Sequence, residues 1–154
     1  QTVLDFKPNG VIFSNGPGDP KTYVKTIDLC KKLMEKNIPM MGINLGHQII
    51  ALAAGGNVSK LKVGHRGYNK PVVYAKNNKC YITSQNHTFC VKPEGLEKTG
   101  FEILFTHLDD KSIEGLIHKS KPIITTQFYP DTTPELENTY FLFEKFIQSM
   151  NLSK

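Results

Sequence analysis

The segment Gly42-Ile43-Asn44-Leu45-Gly46 has the spacing of a nucleophile elbow, G-x-N-x-G, in which two glycines permit a sharp passage from a strand into a helix. Such a turn lifts its central side chain above the sheet. It also aims the next backbone N–H, here that of Leu45, at the place where an oxyanion forms. This scaffold is typical of covalent acyl transfer. Its central residue, Asn44, has an amide nitrogen with a delocalised lone pair, which cannot serve as the nucleophile.

A second stretch with chemical potential is S-N-G-P-G-D-P at residues 14–20, where two glycines and two prolines make the backbone both permissive and stiff. Two interpretations stay open. It is a plain turn with Asp19 near a helix N-terminus, or a loop whose backbone groups approach a ligand. The polar stretch at 60–69 is predicted to be a loop that either lines a site or crosses the surface. Residues 85–87 are predicted to be a loop dense in hydrogen-bonding groups.

Hydrophobic periodicity predicts the elements that position these residues. Apolar runs at 10–13 and 38–41 indicate buried strands, and helical periods at 22–36 and 47–54 indicate helices. This strand–helix–strand–helix order favours a parallel sheet covered by helices. Six more short strands follow, at residues 71–74, 80–83, 89–91, 102–105, 115–118 and 123–128. A final helix is predicted to start at Thr133-Pro134-Glu135, with an inner face of Leu136, Tyr140, Phe143 and Ile147.

The composition is that of one globular domain covering residues 1–154, with 39% hydrophobic and 21% charged residues. The net charge of +5 comes from scattered lysines, so we expect no nucleic-acid partner, and no apolar run is long enough for a membrane span. Cys30, Cys80 and Cys90 form neither a disulfide framework nor a zinc set, and we expect them to be packing residues in a reducing, cytoplasmic or similar intracellular compartment. The histidines are dispersed, and we expect no metal site.

Five motifs in order resemble the class I (triad-type) glutamine amidotransferases. They are S-N-G-P-G-D-P, G-I-N-L-G-H-Q, G-H-R-G-Y-N-K-P-V, S-Q-N-H-T-F and Q-F-Y-P-D. The third and fourth motifs are most similar to the glutaminase domain in the small chain of carbamoyl phosphate synthetases.

The resemblance implies an α/β fold with a mixed, mostly parallel central sheet flanked by helices, of the flavodoxin-like type. Family domains carry another strand and helix ahead of the segment that starts at Gln1, so we expect a domain that is N-terminally incomplete relative to the family. The implied family activity is glutamine hydrolysis, which supplies ammonia to a large synthetase subunit for carbamoyl phosphate synthesis in the pyrimidine and arginine pathways. It requires no cofactor.

The resemblance also assigns the pocket. Gly16 and Gly18 match glycines whose backbone contacts glutamine and helps to stabilise the oxyanion, and Leu45 matches the second oxyanion donor. Three further positions match residues that hold the amino-acid end of the substrate: Gln48, Asn86 and Phe89. A family glycine is replaced by Thr88, which narrows the pocket.

The triad positions depart from the family pattern. Asn44 replaces the cysteine, Tyr129 replaces the histidine base and Asp131 replaces the orienting glutamate. A phenol is a poor general base at neutral pH, and a carboxylate without an imidazole has nothing to orient. We therefore predict an inactive glutaminase domain with a structural or regulatory role beside a synthetase that takes ammonia from solution. Two alternatives remain: a stand-alone module that senses glutamine, or an amidohydrolase whose triad has been altered.

Overall fold

The structure, a computed structural model, describes residues 2–130 and 139–152. The helices and strands within these ranges are, in chain order, α1 (Thr2–Asp5), β1 (Val11–Phe13), α2 (Val24–Glu35), β2 (Met40–Ile43), α3 (Leu45–Ala53), β3 (Val58–Tyr74), β4 (Lys79–Val91), β5 (Phe101–His107), β6 (Ile113–His118), β7 (Ile123–Thr126) and α4 (Phe141–Leu152). Among these helices, none combines the length and apolar character that a membrane crossing needs.

The seven described strands form one mixed sheet in the order β1-β2-β7-β6-β4-β3-β5, with a further pairing between β5 and β6. β2 is parallel to both β1 and β7. The other five pairings, β3–β4, β3–β5, β4–β6, β5–β6 and β6–β7, are antiparallel. The α/β class with a mixed sheet is confirmed, but "mostly parallel" is wrong for the described strands. A helical crossover joins β1 to β2, whereas short turns join β3 to β4 and β6 to β7, and short turns give antiparallel neighbours.

Two predicted loops lie inside strands. Residues 60–69 belong to β3 and residues 85–87 belong to β4. The two strands form a long antiparallel hairpin with register shifts between Lys60 and His65 and between Gly67 and Lys70. Their polar composition resembled loops because an antiparallel strand can keep one face in water.

The core lies on both faces of the sheet. Met40 and Met41 are adjacent in β2 and fully buried, yet they belong to different hydrophobic clusters because successive strand residues point to opposite faces. The cluster around Met40 includes Leu33 of α2 and Ile50 of α3. The cluster around Met41 includes Leu142 and Phe146 of α4. The sheet is therefore covered by α2 and α3 on one face and by α4 on the other.

The inner face predicted for the last helix is partly wrong in the described part: Phe143 is half-buried and packs against the cluster around Met41, but two other predicted residues do not. Tyr140 and Ile147 are 53% and 50% exposed, whereas Leu142 and Phe146 are buried. The helix begins at Phe141, after a turn in which Leu142 N–H donates to the Thr139 carbonyl, and this start sets the phase of its buried stripe. Thr133, Pro134, Glu135 and Leu136 lie outside the described residues.

Candidate functional site

The G-x-N-x-G segment forms the sharp turn that its spacing predicts. Asn44 lies between β2 and α3 with φ 54° and ψ −106°. A Cβ atom added at Gly42 would lie 2.7 Å from the Gly46 carbonyl oxygen, and one at Gly46 would lie 1.9 Å from the Phe13 carbonyl oxygen. Both glycines are therefore required by close backbone contact, since real Cβ atoms do not approach this closely.

Asn44 is buried and fully engaged by neighbouring groups. Its Nδ2 donates to the Tyr129 hydroxyl at 3.0 Å and to the Asn86 carbonyl at 3.1 Å. Its Oδ1 accepts from Gln127 Nε2 at 3.4 Å. The two residues that the sequence analysis predicts at the nucleophile and base positions are thus in direct contact, and both hydrogens of the amide are donated within the protein.

Tyr129 reaches this contact because it follows β7 and forms an isolated antiparallel bridge with Ser84 of β4, whose carbonyl accepts from Tyr129 N–H at 3.1 Å. Its hydroxyl also accepts from Asn15 Nδ2 at 3.4 Å. The third triad position, Asp131, lies outside the described residues.

An open cavity of about 580 Å³ lies above the turn. Eight of the ten predicted site residues line it: Gly16, Gly18, Asn44, Gln48, Asn86, Thr88, Phe89 and Tyr129. Leu45, the ninth, is buried beside it, with Cδ2 only 2.7 Å from the position of a Cβ atom on Gly16. As the first residue of α3, Leu45 has an N–H group without an acceptor inside the helix.

The loop at residues 14–20 confirms the turn interpretation, and its position at the cavity is compatible with the ligand-binding one, which stays a prediction. Asp19 Oδ1 accepts from Lys21 N–H at 2.9 Å and so caps a short 3₁₀ helix at Pro20–Thr22. The same loop lines the cavity, where Gly18 has φ 87°. The Tyr23 hydroxyl donates to the Pro17 carbonyl at 2.6 Å and holds the loop in place.

Gln48 and Thr88 are each held by a further polar contact. Gln48 Nε2 donates to the Phe89 carbonyl and to Gln127 Oε1, both at 3.0 Å. Arg66 Nη2 donates to Thr88 Oγ1 at 2.8 Å, which fixes the side chain that replaces the family glycine.

Gln127 was missed by the sequence reasoning. It is fully buried, and its amide joins Asn44 to Gln48, two residues that line the cavity. The available signal was a polar residue directly after the apolar run of β7, next to the Tyr129 position. Asn15 and Lys60 also line the cavity and were not assigned.

No thiol lines this cavity among the described residues. Cys30 and Cys90 are buried, as predicted, and burial raises the pKa of the Cys30 thiol to about 12. Cys80 was predicted to be a packing residue and is exposed, which corrects that prediction.

Two histidines near the turn differ in position. His87 lines the cavity, and burial lowers its pKa to about 4. His47 is fully buried and its Nδ1 lies 2.7 Å from Thr125 Oγ1. Burial first, and the His87 imidazole second, lower the pKa of His47 to about 3.

The prediction that the histidines are dispersed is wrong. His65, His87, His107, Asp110 and Glu114 converge behind the cavity, and we call this group the histidine cluster. The His65 ring centroid lies 4.2 Å from that of His107 and 4.9 Å from that of His87. The hydrogen bond from His65 to Glu114 raises the pKa of His65, whereas burial raises the pKa of Glu114. Two sets of three residues in this cluster have ligand atoms close enough to hold a metal ion.

Comparison with known proteins shows the family and agrees with the fold. The sequence model of the family described as "Glutamine amidotransferase class-I" matches residues 1–149. The chain belongs to the class I glutamine amidotransferase family.

Its curated relatives include carbamoyl phosphate synthase small chains. The one from Clostridium acetobutylicum is 46% identical over 94% of this chain and 41% of that protein. The one from Saccharolobus solfataricus is 44% identical over 94% of this chain and 39% of that protein. A "Carbamoyl phosphate synthase arginine-specific small chain" from Halalkalibacterium halodurans is 43% identical over 97% of this chain and 42% of that protein. The chain thus spans about two fifths of the length of these relatives.

Solved structures support the fold alone. A putative GMP synthase protein from Thermoplasma acidophilum superposes with a TM-score of 0.76, at 23% identity, over 99% of this chain and 77% of the other. A glutamine amidotransferase from Thermotoga maritima gives a TM-score of 0.65, at 17% identity, over 92% of this chain and 63% of the other.

Proposed function

We propose that this chain is the glutaminase-type domain of a carbamoyl phosphate synthase small chain and that it no longer hydrolyses glutamine. The relatives named above support the first half of the proposal. The observation that carries the second half is the 3.0 Å hydrogen bond from Asn44 Nδ2 to the Tyr129 hydroxyl, which joins the nucleophile and base positions.

The chemistry of glutamine hydrolysis explains the loss. A covalent route requires a nucleophile that attacks the side-chain amide and a base that takes its proton. Asn44 offers a carboxamide already bonded to Tyr129 and Asn86. In another triad hydrolase, removal of the nucleophile or the base alone lowers turnover by roughly 10⁶-fold. Only binding and the oxyanion N–H groups would remain here.

His87 does not rescue the reaction. It is an imidazole at the cavity, but its Nδ1 lies 2.9 Å from the Phe89 carbonyl and its Nε2 lies 2.9 Å from Gln85 Oε1. Both ring nitrogens are therefore engaged away from Asn44. A base without a nucleophile also gives no acyl intermediate.

The partner in this proposal is a large synthetase subunit. The domain would serve as a structural or regulatory element, and the synthetase would take ammonia from solution. The chain covers 39% and 41% of two of these relatives, which is compatible with a domain within a longer small chain.

The test is ammonia release from glutamine by the purified chain, alone and with its synthetase partner. We expect a trace equal to a protein-free blank in both conditions, with carbamoyl phosphate formed when ammonium chloride replaces glutamine. Glutamine-dependent ammonia release above the blank would overturn the proposed inactivity, and mass spectrometry of a trapped acyl adduct would then identify the nucleophile.

A second candidate is a glutamine-sensing module, which the open cavity of about 580 Å³ favours. Its lining keeps Gly16, Gly18, Gln48, Asn86 and Phe89, the positions matched to substrate contacts. Titration calorimetry with glutamine separates the two candidates. Saturable heat at millimolar ligand or below would support sensing, and its absence would remove this candidate.

A further inference from the structure

The histidine cluster is assembled by four strands. His65 of β3 and His87 of β4 are direct partners in the antiparallel ladder. His107 ends β5, Glu114 lies in β6, and Asp110 lies in the turn between them. Of these five residues only Asp110 is exposed, with a side chain 44% accessible, and Glu114 is completely buried.

The outer contacts of two rings fix which nitrogen carries a hydrogen. His65 Nε2 lies 3.0 Å from Asp110 Oδ2 and His87 Nδ1 lies 2.9 Å from the Phe89 carbonyl, so each of these nitrogens donates. The other two ring nitrogens, His65 Nδ1 and His87 Nε2, point into the cluster, where a metal ion would replace any proton that they carry. Both face Glu114 Oε1, at 3.1 and 3.7 Å. Histidine ligands of metals show this arrangement, with the second ring nitrogen donating to a carboxylate or a carbonyl.

The orientation of the Gln85 amide adds a third acceptor. Thr83 Oγ1 donates to the Lys70 carbonyl at 2.8 Å and therefore accepts from Gln85 Nε2 at 3.1 Å. This places Gln85 Oε1 against His87 Nε2 at 2.9 Å. Two ring nitrogens and two side-chain oxygens, all able to bind a metal ion, thus converge in the cluster.

A buried carboxylate oxygen of Glu114 is a second, independent observation that indicates a bound cation. Glu114 Oε2 is buried and has no hydrogen-bond partner. A buried carboxylate oxygen without a partner is costly, because its water is lost and nothing replaces it. A proton on His65 Nδ1 or on Glu114 Oε1 would satisfy their 3.1 Å contact but would leave Glu114 Oε2 without a partner. A single divalent cation bound by the carboxylate and both rings would satisfy these groups together.

We propose that the histidine cluster binds one Zn²⁺ through His65 Nδ1, His87 Nε2 and the Glu114 carboxylate, with Gln85 Oε1 as the fourth ligand. Asp110 orients His65 from outside the coordination shell. Two imidazoles and one carboxylate form a ligand set that suits zinc, whereas magnesium and calcium prefer oxygen alone.

The spacing agrees with this assignment. Ligand bonds of about 2.0–2.2 Å in a tetrahedral site separate neighbouring ligand atoms by about 3.3–3.6 Å. The observed separations from Glu114 Oε1 are 3.1 and 3.7 Å, and the three ligand atoms all lie within 4.8 Å of one another. Movements of about 1 Å or less would close the site.

A bound ion would tie β3, β4 and β6 together directly behind the cavity. His87 stands between Asn86 and Thr88, which line it. The role of the ion is therefore structural: it would fix the cavity wall and does not depend on whether glutamine is hydrolysed. Structural zinc sites contribute directly to folding free energy.

The test uses the full chain with Cys80→Ser, which removes the exposed thiol as an adventitious zinc ligand. We expect about one zinc per chain by elemental analysis after purification without chelator, as for a closed structural site. Zinc chloride titrated into the chelator-stripped protein should bind with the same stoichiometry and raise the melting temperature. X-ray absorption of the loaded protein should show nitrogen and oxygen neighbours without sulfur.

Variants assign the site. Glu114→Gln should abolish zinc binding. Asp110→Asn should weaken zinc binding by about 10- to 100-fold, because His65 loses the carboxylate that orients it. The control His118→Gln lies outside the cluster and should leave zinc binding unchanged. If Glu114→Gln does not fold, the zinc affinity of Asp110→Asn and the X-ray absorption spectrum of the zinc-loaded parent decide whether the cluster is the zinc site. No binding by the stripped parent at micromolar zinc, sulfur in the coordination shell, or equal affinity in Asp110→Asn and the parent would overturn the proposal.

Discussion

Asn44 and Tyr129, 85 positions apart in the chain, are joined by a hydrogen bond of 3.0 Å from the amide to the hydroxyl. The bond lies at the floor of the cavity, where a nucleophile and its base would stand. Gln127 and Asn86 contact the same amide. At the floor of the cavity, these side chains therefore form a connected polar network.

Reversion of the predicted triad positions tests whether they alone account for the proposed inactivity. We expect Asn44→Cys with Tyr129→His and Asp131→Glu, together in the full-length protein, to release ammonia from glutamine above the blank. A triad supplies up to roughly 10⁶-fold in turnover. The matched control is the same triple change with serine instead of cysteine at position 44. A folded but inactive triple revertant would show that another feature blocks the site.

Thr88 is the first candidate for such a block. Thr88→Gly should tighten glutamine binding by about 10-fold, equivalent to about 1.4 kcal/mol, because it removes the side chain that narrows the cavity. Thr88→Ser keeps the hydroxyl that accepts from Arg66 and should stay near the parent. Titration calorimetry with glutamine on the parent and the two variants measures these affinities. If Thr88→Gly and the parent bind glutamine equally tightly, the expected steric role of Thr88 is contradicted.

Gly46 supports the turn through a close backbone contact. Gly46→Ala should destabilise the protein by about 3 kcal/mol or more, because a Cβ atom would lie 1.9 Å from the Phe13 carbonyl oxygen. Gly55→Ala is the matched control: it meets no atom within 4 Å and is strained only by φ 91°, which costs about 1 kcal/mol. Urea unfolding of both variants gives the comparison. If both variants lose a similar free energy of unfolding, the turn must be able to accommodate the added methyl group.

We expect the buried imidazole of His47 to make the stability of the protein depend on pH. Its folded-state pKa is lowered to about 3 by burial, below the ordinary value of 6.5. The unfolded chain therefore binds the proton more readily, and the free energy of unfolding should fall as pH drops from 6.5 towards 3, by about 1.4 kcal/mol per unit. His47→Gln should show a shallower slope in urea unfolding between pH 7 and about pH 4.5. Identical slopes would exclude His47 as the source.

The sequence predicted the turn and the residues around it because their signals are local. Gly42 and Gly46 carry the elbow by spacing alone, and the helix–strand alternation before Ala54 identified the parallel part of the sheet. The positions of Gly16 and Gly18 beside the elbow came from the family resemblance, and the structure places both in the cavity lining.

The errors arose where tertiary contacts decide. The polar residues of β3 and β4 form strands because each pairs with a residue far along the chain, and the composition of a short segment does not reveal this pairing. The histidine cluster forms because the register of β3 and β4 pairs His65 with His87. It also needs β6, which brings Glu114 to within 3.1 Å of His65. The phase of α4 depends on its starting residue, so Leu142 rather than Tyr140 faces the core.

The backbone of Asn44 separates the shape of the turn from the chemistry of its central side chain. Its φ of 54° and ψ of −106° lie outside the left-handed region in which asparagine is enriched, so this conformation gives no reason to prefer asparagine over cysteine. The turn is instead set by close backbone contact at Gly42 and Gly46. The two glycines are the fixed frame of the site, and residue 44 is its exchangeable part.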